Sequence, residues 1–155
     1  MQVIQLTEKN ERFNEAIDLY WKTWGEEGGK VFYEDAMVHS LQDTSGLPSF
    51  YIAIDDREFI IGTYALLRND LNSRQDLRPW LACLYVSEDH RGQQLGAKLL
   101  EHGLKEAAKR GYGSLYLTSD LEGYYEKYGW KQIALAYGPS GGSIPLYENH
   151  TNQYV

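Results

Sequence analysis

Val86-Ser-Glu-Asp-His-Arg-Gly-Gln-Gln-Leu-Gly-Ala-Lys-Leu-Leu100 joins a strand to a helix through a glycine-punctuated turn, and that order decides the reading of the whole chain. The run before it, Pro79-Trp-Leu-Ala-Cys-Leu-Tyr-Val86, is too short and too apolar for a surface helix and reads as a largely buried strand. After the polar turn, Leu95, Leu99 and Leu100 recur at helical spacing. Gly92 and Gly96 lack a Cβ, so main chain can come close to a ligand while the first-turn N–H groups of the helix point outward. The partial positive charge of those amides suits a diphosphate.

Working outward, Gln2 to Leu6 reads as a first strand. Thr7 or Asn10 is placed to cap a helix whose positions Phe13, Ile17, Tyr20 and Trp24 share an apolar face, and Gly25-Glu-Glu-Gly-Gly29 stops it. A second helix is expected from about Lys30 to Leu41. Phe50–Ile54 and Phe59–Leu67 form a hairpin about the polar turn Asp55–Glu58. The stretch Arg68–Arg78 is too rich in Asn and Asp for a regular element and reads as a loop near the site. Gln94–Lys109 follows as a helix, Ser114–Thr118 as a strand, Leu121–Tyr128 as a short helix, Lys131–Tyr137 and Ser143–Tyr147 as strands, and His150–Val155 as a frayed tail. A meander followed by β-α-β units predicts an α/β or α+β domain with one mixed sheet.

The chain's 155 residues, 43% of them hydrophobic, suit one domain, 1–155, with a substantial core. Fifteen basic against 22 acidic side chains leave a net charge of −7, which argues against nucleic acid or an anionic membrane as partner and is compatible with a cationic substrate. An anionic ligand must then be held by local dipoles and by residues such as Arg91 and Lys98. The single cysteine, the absence of a signal-like start and the lack of a spanning apolar run predict a cytoplasmic protein. The four histidines, at positions 39, 90, 102 and 150, show no ligand spacing, so no metal is expected. No Gly-Lys-Ser/Thr follows the glycines, which excludes a P-loop.

The spacing Arg91-x-x-Gln94-x-Gly96 after a strand ending Leu84-Tyr85-Val86 resembles the acyl-CoA pyrophosphate loop of the GNAT superfamily of N-acetyltransferases. Further on, Tyr124-Tyr-Glu-Lys-Tyr-Gly-Trp130 resembles that family's aromatic-Tyr-Glu-x-x-Gly-aromatic element, in the family's order and spacing. The likeness runs over roughly Ile52 to Tyr147. It implies a GNAT-like fold: a mixed, mostly antiparallel sheet of about seven strands, splayed at its centre and flanked by about four helices. It also implies acetyl-CoA as cosubstrate, lying in a V-shaped gap where Trp80–Val86 diverges from Ser114–Thr118, commonly at a bulge. The diphosphate would lie on Arg91, Gly92, Gln93, Gln94, Leu95, Gly96 and Ala97, and the pantetheine arm on the main chain of Leu84, Tyr85 and Val86. The side chains of Leu84 and Val86 read as ordinary core and surface. Gln94 stands where the family has its first glycine. In the right-handed helical region, the expectation favoured here, a glutamine costs nothing there, whereas φ > 0 would cost about 1 kcal/mol.

The resemblance makes Tyr125 the general acid that protonates the departing sulfur, with a backbone N–H near Tyr85 polarising the thioester carbonyl. The amine would attack directly in a ternary complex. Of itself, Tyr125 is also a packing tyrosine on a short amphipathic helix. The base is unmarked: the strand Trp80–Leu84 carries no acid and Thr118 stands where some relatives have one, leaving Asp70, Asp76, Glu88 and Asp120, each of which equally reads as a turn, cap or solvated charge. The short connection Ser119-Asp120 lacks an asparagine that many relatives use to hold pantetheine. Cys83 reads as a small hydrophobe rather than a nucleophile, and His90 as a surface turn residue. Trp21, Trp24, Glu26, Glu27 and Trp80 read as aromatic core with a charged rim in preference to an enclosure for an ammonium group. The expected partner is a small-molecule or protein amine, with a homodimer left open. A non-catalytic acyl-CoA-binding module of the same fold is the rival reading.

Overall fold

The computed structural model describes residues 1–7 and 11–154. Its elements follow the chain as β1 (Gln2–Gln5), α1 (Phe13–Trp24), α2 (Lys30–Ser40), β2 (Ser49–Ile54), β3 (Ile60–Leu67), β4 (Trp80–Val86), α3 (Leu95–Lys109), β5 (Ser114–Thr118), β6 (Lys131–Tyr137) and β7 (Ser143–His150). The strands make one seven-stranded sheet in the order β1-β2-β3-β4-β5-β7-β6. It is mixed: β4 and β5 run parallel with Trp80 opposite Tyr116, while β1/β2, β5/β7 and β6/β7 are antiparallel. The class is the one expected, with three α-helices among the described residues rather than about four, the remaining helical turns being short 3-10 segments. The chain divides into two compact units, Met1–Ala65 with Cys83–Leu99, and Leu66–Ala82 with Leu100–Val155.

In the first unit, β1 and β2 pair with Val3 opposite Ala53. Helix α1 turns Ala16, Ile17 and Tyr20 inward, the face its apolar spacing marked out, while Trp24 at its end is 36% exposed. The fully buried Tyr20 hydroxyl lies 2.9 Å from the Tyr51 carbonyl oxygen and 2.7 Å from that of Tyr64, sharing its proton between β2 and β3. Thr7 does not cap α1, whose N-cap position is Arg12 with no capping side chain; Asn10, the other expected cap, lies outside the described residues. Arg12 pairs with Glu15 in the first turn at 2.8 Å. The β2–β3 turn is held by Asp55, whose Oδ1 accepts the N–H groups of Arg57 and Phe59 at 2.9 Å.

In the second unit, β7 lies between β5 and β6. Trp80, Tyr116, Ala136 and Leu146 form a buried cluster, against which Leu67, Leu77 and Ile144 pack. Two expectations fail here. Leu121–Tyr128 is not a helix; only Tyr125–Tyr128 turns, as 3-10, because Gly123 sits at φ +77 and breaks the run upstream. Nor does the chain fray from His150: β7 continues to that residue, and Thr151 is fully buried. Thr151 donates its N–H to Gly113 at 3.0 Å and its hydroxyl to the Tyr112 carbonyl at 2.5 Å, and Asn152–Tyr154 forms a further 3-10 turn. The last residues are thus fixed by the glycine break that follows α3.

Candidate active site

The loop leaving β4 is short and held at several points. Ser87 N–H bonds the Ile61 carbonyl at 2.8 Å, and the Ser87 hydroxyl and His90 Nδ1 share a hydrogen bond of 2.7 Å, which accounts for His90 as a turn residue. Arg91 folds back so that its Nε donates to the Val86 carbonyl at 3.1 Å. The terminal guanidinium nitrogens then lie free of partners among the described residues. Gly92 follows at φ +81, with open space where a Cβ would stand, and Gln94 at φ +61. Two left-handed residues reverse the chain into α3, whose first backbone bond runs from Lys98 N–H to the Gln94 carbonyl at 3.1 Å. The amides of Leu95, Gly96 and Ala97 therefore precede the helical ladder. Such a concavity of unpaired N–H groups fits an anion.

Gln94 departs from expectation. It adopts the left-handed region rather than the right-handed one, because reversing into α3 demands positive φ at the residue before Leu95. A glutamine held there carries about 1 kcal/mol of strain. Gln94→Gly is expected to raise unfolding free energy by ~0.5–1 kcal/mol in urea titrations. A value at or below that of the parent would show that the Gln94 side chain returns the strain through contacts of its own.

A cleft of about 150 Å³ opens in the same unit, lined by Asp55, Asp56, His90, Gln93 and Lys98 among others. Leu95 lines it as well, so this cleft borders the start of α3 and sets two carboxylates, Asp55 and Asp56, near Gln93 and Lys98.

Strand β4 is buried over its first half and only partly buried from Cys83 to Val86, so the expectation of a largely buried strand holds for half of it. The change occurs at Cys83, whose φ of +55 interrupts the extended run in the manner of a bulged strand residue. The Thr63 hydroxyl donates to the Cys83 carbonyl at 2.8 Å and fixes this kink. Gly62 completes the arrangement, because a Cβ there would stand 2.9 Å from the Tyr85 carbonyl oxygen and 3.1 Å from Leu99. Thr63 and Gly62 were missed in the sequence; a glycine inside the apolar run Ile60–Leu67 was the available signal, since it marks close backbone approach. Beyond the kink, the Tyr85 ring meets the Trp24 ring edge-on at 6.4 Å.

In the second unit, Tyr125 opens the 3-10 turn and is 7% exposed. Its ring packs against Tyr124, Trp130 and Tyr147 at centroid distances of 4.9, 6.5 and 5.6 Å. Burial first, then the neighbouring Tyr147, pushes its phenol above the ordinary range, against the opposing effect of a hydrogen bond with the Ser119 side chain. Tyr125 accordingly stays protonated across neutral pH. Gly129 at φ +88 ends the turn, allowing Trp130 N–H to bond the Tyr125 carbonyl at 3.2 Å. The spacing of Tyr125, Gly129 and Trp130 thus closes one compact turn around Tyr125.

Of the residues weighed as an aromatic enclosure, Trp80 is core, with its indole N–H on the Leu77 carbonyl at 2.7 Å. Trp21 donates to the Glu26 carbonyl at 2.9 Å, and Glu26 and Glu27 are exposed. Among the described residues, no three His, Cys, Asp or Glu side chains group as metal ligands, and no helix is long and apolar enough to cross a membrane.

The acetyltransferase (GNAT) family profile matches residues 13–130, and the chain belongs to that family. It is 31% identical over 103 residues to the uncharacterized N-acetyltransferase YhbS of Escherichia coli K12, a stretch covering 65% of this chain and 60% of that protein. The chain thus spans less than two thirds of that relative. Among solved structures it is similar to an aminoglycoside 6′-N-acetyltransferase complexed with coenzyme A, at a TM-score of 0.67 and 19% identity, with 97% of each chain covered. It is also similar to a variant of the Vibrio cholerae spermidine N-acetyltransferase SpeG, at a TM-score of 0.70 and 11% identity over 100% of this chain and 98% of that one. These two likenesses are likenesses of fold.

Proposed function

We propose that the protein transfers an acetyl group from acetyl-CoA to a primary amine by direct attack in a ternary complex. The observation that carries this reading is the reversal Arg91–Gln94, which leaves the amides of Leu95, Gly96 and Ala97 ahead of the helical ladder with an arginine held beside them. These amides, with those of Gly92, Gln93 and Gln94 and the Arg91 guanidinium, hold the diphosphate, and Lys98 adds charge. The main chain of Leu84, Tyr85 and Val86, past the Cys83 kink, bonds the pantetheine arm as an added strand would, and a backbone N–H near Tyr85 draws charge onto the thioester oxygen. Tyr125 gives its proton to the departing sulfur; its burial and raised pKa keep that proton available.

The net charge of −7 and the amine acceptors named for the aminoglycoside and spermidine enzymes of like fold support a cationic amine as acceptor. Acetyl-CoA at about 100 times its Kd is expected to stabilise the folded protein by ~2.7 kcal/mol, read as a rise in the thermal midpoint. No rise removes the cosubstrate from the proposal. A rise without acetylation of any amine leaves the acyl-CoA-binding module instead.

A further inference from the structure

Tyr125 lies against the paired strands β5 and β7, its ring meeting that of Tyr147 at 5.6 Å. In that pair Leu117 stands opposite Tyr147 and Thr118 opposite Leu146, and the Ser119 N–H carries the pairing one step further by bonding the Pro145 carbonyl at 3.1 Å. Side chains alternate between the two faces of a strand, so Ser119, two residues beyond Leu117, falls on the side that Tyr147 presents to Tyr125. The register thus brings the serine to the phenol.

The Ser119 hydroxyl oxygen accepts the Leu121 N–H at 3.1 Å, and the Tyr147 hydroxyl reaches the Leu121 carbonyl at 3.5 Å. With its oxygen fixed by a backbone donor, the serine keeps its own proton for the Tyr125 phenol, to which it is hydrogen-bonded. That bond favours the ionised phenol over the neutral one, as a donor to a phenolate oxygen does. Exposure also changes along this line. Tyr125 is 7% exposed, Ser119 is half-buried, and Asp120 and Leu121 beside it stand in solvent. A phenol so covered recovers a lost proton through a hydrogen-bonded neighbour, and Ser119 is that neighbour.

We propose that Ser119 is the positioning residue for Tyr125: its hydroxyl fixes the phenol oxygen, donates to it as its proton leaves for sulfur, and relays a replacement from solvent, a role that rests on the acetyl-transfer reading above. In that step the amine lone pair forms the C–N bond to the acetyl carbon, and the C–S bond breaks with its electron pair leaving on sulfur. Sulfur takes the Tyr125 proton, the Tyr125 oxygen takes the Ser119 proton, and Ser119 takes one from water. The proton lost by nitrogen goes to solvent and balances the last transfer. A neutral amine and the thioester thus give the amide and the free thiol, with both hydroxyls restored.

The test uses the full chain with spermidine, an aminoglycoside carrying a 6′-amine and a lysine peptide as probe amines, following acetylation and acetyl-CoA binding separately. Ser119→Ala is expected to lower kcat for the best probe by about 20-fold, the effect of losing a hydrogen bond to a group that becomes charged. Its KM for the amine and its Kd for acetyl-CoA should stay within about twofold of the parent, which also shows that the variant folds. Ser119→Thr keeps a hydroxyl and should recover about half of the parent's kcat or more. In a Tyr125→Phe background the same Ser119→Ala change should cost less than about twofold, because the phenol it serves is gone. A serine that only braces the turn at Leu121 would instead lower the rate by the same factor in both backgrounds. That result, or a Ser119→Ala enzyme with the parent's kcat, overturns the role of Ser119 and leaves the acetyl-transfer reading standing. A parent that acetylates none of the three probes, or a Tyr125→Phe enzyme that matches the parent, overturns the reading beneath it, and this proposal with it.

Discussion

Tyr125→Phe should lower kcat for acetyl transfer by about 100-fold while leaving the Kd for acetyl-CoA within about twofold. The phenylalanine ring keeps the packing against Tyr124, Trp130 and Tyr147, so the change removes one hydroxyl from a pocket that is otherwise preserved. What is lost is a proton donor whose burial holds it in the protonated state. The Ser119 hydroxyl loses its interaction with the phenol and keeps the Leu121 N–H at 3.1 Å, so the cost in stability is at most about 1 kcal/mol, visible in a urea titration and too small to mimic a catalytic defect. Turnover equal to that of the parent would show that the hydroxyl serves packing and hydrogen bonding alone.

Trp80→Ala should destabilise the fold by ~3–5 kcal/mol. The indole is fully buried at the centre of the cluster with Tyr116, Ala136 and Leu146, and its N–H is the donor to the Leu77 carbonyl. Truncation leaves a cavity and an unsatisfied carbonyl together. Trp80→Phe separates the two effects, since it keeps most of the apolar volume and should cost nearer 1–2 kcal/mol. Denaturant midpoints of the pair measure the difference. Equal losses for Ala and Phe would assign the stability to the hydrogen bond and not to the filled space.

The elements with clear alternation or periodicity were legible from the residues alone. β5 and β6 fall on the expected boundaries, α3 begins one residue later than read, and α2 ends one residue earlier. The carriers of that legibility are local: Leu95, Leu99 and Leu100 share a helix face whatever surrounds them. Where the reading failed, the missing information was conformational. Nothing in the residue name marks Gln94 as left-handed; that follows from the angle between β4 and α3. The Leu121–Tyr128 stretch has helical composition, but Gly123 takes positive φ and limits the turn to its last four residues. The tail was misjudged because Thr151 finds its partners at Tyr112 and Gly113, about forty positions away in a contact no local pattern encodes. For the base, four acids were equivalent as letters. The structure spends Asp76 on Arg74 and leaves Glu88 and Asp120 in solvent, while Asp70 is half-buried.

Ser73 of the β3–β4 loop donates its N–H to the Tyr137 carbonyl at 2.8 Å and accepts the Tyr137 N–H on its hydroxyl at 3.0 Å, a bond pair that bears on self-association. β6 ends the strand order and presents Ile133, Leu135 and Tyr137 to solvent, a border on which a foreign β-segment could zip up. A serine that already occupies both main-chain groups of Tyr137 plugs the last rung of that ladder, and the Lys131 charge guards the first. One tether thereby pins the β3–β4 loop and closes an end of an apolar sheet border to runaway stacking.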